Sequence, residues 1–199
     1  MGADIIAGAG FGGGQAIAVI NSQTGEFMES FFAFDPAFTG GVNVAVYDVG
    51  GILDIITGAG PGGAPLVKVF NVASSSVLSQ WLAYSSQFTG GVFVAAGDLN
   101  NDGNVEVVTG AGAGGGPVVG IFNSLNGAQI NVYFAYPTDF MGSVRVAVGY
   151  GNNDPFLDIL TGAGPGGGPV LSVWSFPSLD LISTYFVSNP SGLNGIWIA

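Results

Sequence analysis

The chain has 199 residues, nearly half of them apolar, and a net charge of −11, because only Lys68 and Arg145 oppose thirteen acids. That balance disfavours nucleic acid and anionic membrane surfaces as partners. The absence of cysteine and histidine excludes thiol and imidazole catalysis, disulfides and most zinc sites.

Membrane insertion is not expected, despite the hydropathy. A spanning helix wants about 18 uninterrupted apolar residues, and Gly, Pro or Asp breaks every such stretch here. Transmembrane barrel strands alternate polar and apolar residues, whereas Val44-Ala45-Val46 and Val146-Ala147-Val148 are apolar on both faces.

From the N-terminus, Met1-Gly2-Ala3 leads directly into Asp4-Ile5-Ile6 with no signal peptide. This start is expected of a domain taken from a longer secreted or cell-surface protein. Gly8-Ala9-Gly10 then opens a fourfold repeat. It returns at Gly58-Ala59-Gly60, Gly110-Ala111-Gly112 and Gly162-Ala163-Gly164, at spacings of 50, 52 and 52 residues. Ala33, Ala83, Ala135 and Val187 keep the same register, as do Gly41, Gly91, Ser143 and Gly195. A period near 50 built of short strands predicts one four-stranded sheet per repeat, hence a propeller.

The second repeat shows the unit. Gly41 to Val46 is a short uncharged strand suited to a crowded centre, and Ile55-Ile56-Thr57 is the second strand. A Gly-rich turn from Gly58 to Pro65 follows, then Leu66 to Phe70 as the third strand and Val77 to Tyr84 as the outermost. Glycine permits the turn, while Pro65, Pro117 and Pro169 restart extended chain. A phosphate cradle would need a helix N-terminus after the glycines, and no helical period follows. Aromatics recur at Phe31, Trp81, Tyr133 and Tyr185, and Ile20, Phe70, Phe122 and Trp174 share another position. Such recurrence predicts wedges between blades, with a carbohydrate-stacking platform as the alternative. One position varies on this constant frame: Asn43, Phe93, Arg145 and Trp197.

The third repeat carries the main chemical signal. In Asp98-Leu99-Asn100-Asn101-Asp102-Gly103-Asn104-Val105-Glu106, oxygen donors stand at positions one, three, five and nine. Gly103 supplies the turn and the Asn104 carbonyl adds a further oxygen. Hard oxygen donors alternating on a curved loop suit calcium better than magnesium, so Asp98, Asn100, Asp102, Asn104 and Glu106 are the expected metal site. Asn-Asp-Gly sequences also favour plain turns. The fourth repeat keeps Tyr150, Asn152, Asp154 and Asp158, with Pro155 in place of the glycine, a degenerate second site. The second repeat retains Asp48 and Asp54 on a loop too short for the same cage, and the first retains Asp4. These loops hold eight of the thirteen acids and should make one face strongly negative.

The ends complement each other. The chain begins with a second strand and finishes with a first one, Gly195-Ile196-Trp197-Ile198-Ala199. The expected fold is therefore all-β, a four-bladed β-propeller of four-stranded antiparallel blades over 1–199. One composite blade combines 4–36 with 195–199, and the others span about 41–87, 91–139 and 143–190. Closure within one chain favours a monomer, and exchange of ends gives a strand-swapped dimer.

At Phe11-Gly12, at Gly63-Ala64-Pro65 and at the D-x-N-x-D-G-x-x-E loop from Asp98 to Glu106, the sequence resembles the FG-GAP repeat family of integrin α-type propellers. Its Gly-rich turns resemble those of large bacterial surface proteins. The resemblance implies a propeller with Ca2+ in the Asp98 loop and a non-catalytic structural or adhesive role toward a protein or glycan ligand. Familiar members close with seven blades and most loops here are degenerate, so seven-blade closure and an integrin-type adhesion site do not carry over. A lectin-like propeller and a fragment that assembles into a larger ring are the alternatives. A hydrolase or lyase would need a spaced carboxylate pair, and no acids cluster outside the loops.

Overall fold

The computed structural model describes residues 4–49 and 52–198. Among these are fifteen strands and no helix, so no helix is long and apolar enough to cross a membrane. The first blade is β1 (Ile5–Gly8), β2 (Ala16–Ile20) and β3 (Phe27–Phe32), hydrogen-bonded in that order. The second is β4 (Val42–Val49), β5 (Ile52–Ala59), β6 (Leu66–Asn71) and β7 (Ser76–Leu82). The third is β8 (Val92–Gly97), β9 (Glu106–Ala111), β10 (Val118–Asn123) and β11 (Gln129–Phe134). The fourth is β12 (Val144–Gly149), β13 (Asp158–Ala163), β14 (Val170–Trp174) and β15 (Leu181–Phe186). Neighbouring strands pair antiparallel throughout. The turn at residues 50 and 51 lies outside the described residues, as do residues 1–3 and 199.

Burial explains the composition. The second strand of the third blade, β9, is buried at every residue, because neighbours cover both faces of its sheet. Outer strands such as β3 and β15 are largely exposed. Each blade has one register irregularity at an equivalent place, before Ile20, Phe70, Phe122 and Trp174. A bulge of this kind re-aims the side chain that follows it. Three of those four side chains meet an aromatic of the preceding blade: Phe31 with Phe70 at 5.0 Å, Trp81 with Phe122 at 5.7 Å, and Tyr133 with Trp174 at 5.0 Å between ring centres. Six of the recurring aromatics are thus wedges between blades, whereas Tyr185, expected to be a seventh, is 52% exposed on the outer strand of the fourth blade. Three apolar clusters, one per interface, surround these pairs.

The conserved spacing of glycines has a steric cause. A Cβ at Gly58 would stand 2.4 Å from the Val92 carbonyl oxygen, and one at Gly110 would stand 2.1 Å from that of Val144. The inner strand of each following blade therefore crosses directly against bare backbone.

Residues 193–196 repeat the contacts by which one blade hands over to the next. Gly166 N–H donates to the Leu193 carbonyl at 2.8 Å, as Gly12 donates to Thr39 at 2.9 Å and Gly62 to Thr89 at 2.8 Å. Ile196 N–H donates to Ala163 at 2.9 Å, as Val42 donates to Ala9 at 2.8 Å. The C-terminal segment thus takes a first-strand place beside the fourth blade. The ladder that would join it to β1 is not formed among the described residues, and the first blade is a three-stranded sheet. Ile5 is accordingly 53% exposed, whereas the equivalent Ile55, Val107 and Ile159 are fully buried.

Candidate functional site

The loop between β8 and β9 is organised by its own side chains. Asp98 accepts from the amides of Asp102 at 3.1 Å and Gly103 at 2.9 Å, through different oxygens. Asn100 Oδ1 accepts from Asp102 N–H at 2.9 Å, and Asp102 Oδ1 accepts from Asn104 N–H at 2.7 Å. These local bonds are what Asx residues offer a turning backbone. Asn101 and Gly103 take positive φ, 57° and 87°, which lets the chain curl around its own carboxylates.

Glu106, the first residue of β9, closes the loop from beneath. It is buried, and its Oε2 accepts from Leu99 N–H at 2.9 Å. Burial raises its pKa above the ordinary value, the Leu99 bond opposes that rise, and the Asp102 and Asp98 charges reinforce it. Asp102, fully exposed, is shifted the other way by hydrogen bonds from Asn104 and Asn100.

The fourth blade repeats this plan in reduced form. Asp158, buried at the start of β13, accepts from Gly151 N–H at 2.8 Å and from Asn152 at 3.3 Å. Asn152 accepts from Asp154 N–H at 2.7 Å, and Asp154 from Phe156 N–H at 2.9 Å. The two loops touch, since Asn101 Nδ2 donates to the Pro155 carbonyl at 2.9 Å. In the second blade the extended β4–β5 ladder replaces any such loop, placing Asp48 opposite Leu53 and Asp54 opposite Tyr47.

The donor chemistry of the Asp98 loop fits a hard divalent cation: carboxylates and amide oxygens, no soft ligand, and one buried carboxylate whose charge lies under two others. Three acids drawn together at metal-holding distance are not found among the described residues.

A second feature lies on the central axis. Asn43, Phe93, Arg145 and Trp197, equivalent in the four repeats, share one cavity of about 190 Å³ with Val44, Val94, Val146 and Ile198. Asn43 Nδ2 donates to the Val92 carbonyl at 2.7 Å, and Arg145 repeats that contact two blades further round by donating to Ile196. The Arg145 guanidinium sits 3.9 Å from the Trp197 ring centre and 5.8 Å from that of Phe93. A wider mouth of about 410 Å³, lined by Gly8, Gly41, Pro61, Gly91 and Phe11, shares Asn43, Phe93 and Trp197 with it. The sequence shows this position only as a variable one; convergence on the axis requires the fold. Thr57, Thr109 and Thr161 recur at the repeat spacing and are fully buried, a polar pattern visible in the sequence. Tyr84 of the second blade meets Thr109 of the third at 3.0 Å, and Tyr136 of the third meets Thr161 of the fourth at 3.2 Å.

Four antiparallel sheets around one axis, with wedge aromatics between them, define the class as a four-bladed β-propeller. No protein-family model matches the sequence, and no curated protein sequence matches it. Solved structures do. The quinohemoprotein alcohol dehydrogenase ADHIIG from Pseudomonas putida HK5 aligns over 94% of this chain and 33% of its own, with TM-score 0.56 and 14% identity. A protein of unknown function from Bacteroides caccae aligns over 92% of this chain and 58% of its own, with TM-score 0.55 and 16% identity. The C-terminal WD40 domain of Sif2 aligns over 92% and 43%, with TM-score 0.53 and 13% identity. This chain thus spans between a third and three-fifths of the length of these structures. Likeness at such identity shows the fold alone.

Proposed function

We propose that this propeller is a non-catalytic recognition scaffold of the FG-GAP type, binding one calcium ion in the loop from Asp98 to Glu106. The observation that carries this reading is the buried Glu106 carboxylate lying beneath Asp98 and Asp102, whose charges act on it. Three negative groups in nine residues repel one another, and a divalent cation relieves that repulsion. Asp98, Asn100, Asp102 and the Asn104 carbonyl would hold the ion, with Glu106 supporting from below. The ion would fix the β8–β9 connection and stiffen one end of the blade. The degenerate loop at Asn152, Asp154 and Asp158 offers at most a weaker site. A loop that mixes neutral amide oxygens with its carboxylates suits the high calcium of secreted or cell-surface surroundings. The ligand of the scaffold is a protein or glycan, and the functional unit is a monomer.

The lectin-like alternative draws less support. Trp81 and Trp174 are engaged between blades, which leaves Trp197, 76% exposed, as the one tryptophan open to a sugar.

The test is calcium titration by calorimetry, with melting measured in calcium and in chelator. Asp98→Ala with Asp102→Ala should remove the heat of binding and lower the melting temperature more in calcium than in chelator, where only the turn's hydrogen bonds are lost. Equal loss in both conditions would show that these acids serve the turn and not an ion.

A further inference from the structure

We propose that the groove between the third and fourth blades binds the lysine side chain of a protein partner, a step that rests on the recognition reading above and gives its ligand a chemistry. The groove is a cavity of about 630 Å³, lined by Tyr136, Asp139, Phe140 and Met141 of the β11–β12 connection and by Pro165 and Gly167 of the next Gly-rich turn. Ligand sites commonly measure about 300 to 1,000 Å³. Tyr136 and Phe140 meet edge to face, with ring centres 5.6 Å apart. A Cβ at Gly167 would stand 2.9 Å from Phe140, so the turn lies close against that ring. The Tyr136 hydroxyl donates to Thr161 Oγ1 at 3.2 Å, so Tyr136 offers the groove ring surface and not a free hydroxyl.

The chain itself supplies the precedent for the occupant. Phe34, Tyr84 and Tyr136 share one repeat position, and Lys68, Gly120 and Ser172 share another. At the first boundary, Lys68 of the second blade sets its ammonium 5.5 Å from the Phe34 ring centre, within cation–π range. The cavity there, beside Phe34 and Phe38, is only about 180 Å³. Gly120 and Ser172 bring no cation to the two later boundaries. Of these, the cavity beside Tyr84 and Phe88 is lined by no acid, whereas the groove beside Tyr136 has Asp139. Asp139 is exposed and makes no hydrogen bond or ion pair among the described residues. Aromatic walls beside an unpaired carboxylate select a cation on an apolar stem. The stem packs on the rings and Met141, and the ammonium pairs with Asp139. The net charge of −11 draws basic partners toward the chain.

The probe is a capped Gly-Lys-Gly peptide, titrated into the intact protein at constant ionic strength, with capped Gly-norleucine-Gly as its uncharged counterpart. NMR amide resonances of residues 139–142 and 166–168 should shift saturably with the lysine peptide, at an affinity in the millimolar range. Asp139→Asn should weaken binding about threefold, and Asp139→Lys should abolish it. Asp180→Asn removes an exposed acid from the β14–β15 turn and should leave binding unchanged. Absent shifts, or equal shifts with the norleucine peptide, would overturn the proposal. So would an equal loss in Asp180→Asn and Asp139→Asn, since the attraction would then belong to the acidic protein as a whole. None of these outcomes bears on calcium in the Asp98 loop, which the calcium titration reads separately.

Discussion

Tyr133 and Trp174 face each other across the boundary between the third and fourth blades, with ring centres 5.0 Å apart and planes at 55°. The Trp174 indole nitrogen donates to Thr161 Oγ1 at 3.0 Å, whereas the Tyr133 hydroxyl is buried with no partner. The same wedge therefore contains one satisfied polar group and one unsatisfied one. Trp174→Ala should cost roughly 3 kcal/mol, the usual scale for emptying an aromatic wedge. Tyr133→Phe should be neutral or stabilise by about 1 kcal/mol, because it removes a desolvated hydroxyl and keeps the ring. Urea unfolding monitored by fluorescence or circular dichroism measures both.

Tyr84 provides the opposite case at an equivalent boundary. Its hydroxyl meets Thr109 Oγ1 at 3.0 Å and donates to the Val118 carbonyl at 3.3 Å. Tyr84→Phe should therefore lose about 1 kcal/mol and leave Thr109 with a poorer partner. Burial pushes the ionisation of Tyr84 well above the ordinary tyrosine range and that of Tyr136 up to about 12. Spectrophotometric titration should show these phenols ionising late. If they titrated with exposed tyrosines near the ordinary value of 10.0, the clamp between blades would not exist in solution.

If the Asp98 loop holds calcium as proposed, Glu106 should make stability and calcium affinity depend on pH in opposite senses. Glu106 has a raised pKa in the fold, mainly through burial. Between the ordinary value of 4.5 and its raised value, the folded chain binds more protons than the unfolded chain. Without calcium, the Glu106 contribution to stability therefore falls as pH rises through that window. A cation favours the charged carboxylate, so calcium affinity should rise across the same window and be lost on acidification. Glu106→Gln should flatten the metal-free dependence in melting experiments. A calcium affinity unchanged between pH 4.5 and neutrality would count against the Asp98 loop as the ion's seat.

Periodicity made the blades, their strand order and the wedge aromatics legible, because each is a demand made separately in every repeat. The loop acids were legible too, since donor spacing is local. Other features required the fold. Asn43, Phe93, Arg145 and Trp197 are about 50 residues apart and meet only because the four repeats surround one axis. The unmatched Nε of Arg145 and hydroxyl of Tyr133 depend on what neighbouring blades fail to offer, which no local pattern encodes. Gly58 and Gly110 stood out as motif residues, but the reason, carbonyl oxygens of the next blade about 2 Å from a missing Cβ, is a tertiary contact.

The same steric logic tests how the ring closes. At Gly60 and Gly112 an added Cβ would lie 1.9 Å from the carbonyl oxygens of Gly40 and Gly90, the residues leading into the first strand of each blade. Gly10 is their equivalent in the first blade, and around it an added Cβ meets nothing within 4 Å. In the sequence register its counterpart neighbour is Asn194, just before the C-terminal segment that the first blade lacks as a paired strand. Gly60→Ala and Gly112→Ala should each lower stability by roughly 2 kcal/mol or more, since backbone must move. Gly10→Ala should change it by less than about 0.5 kcal/mol, as surface substitutions do. Melting experiments combined with native mass spectrometry read both stability and chain number. A Gly10→Ala loss as large as that of Gly60→Ala would mean that residues 194–198 pair with β1 in solution. In a monomer that result would establish the composite first blade, and in a dimer it would establish exchange of ends between two chains.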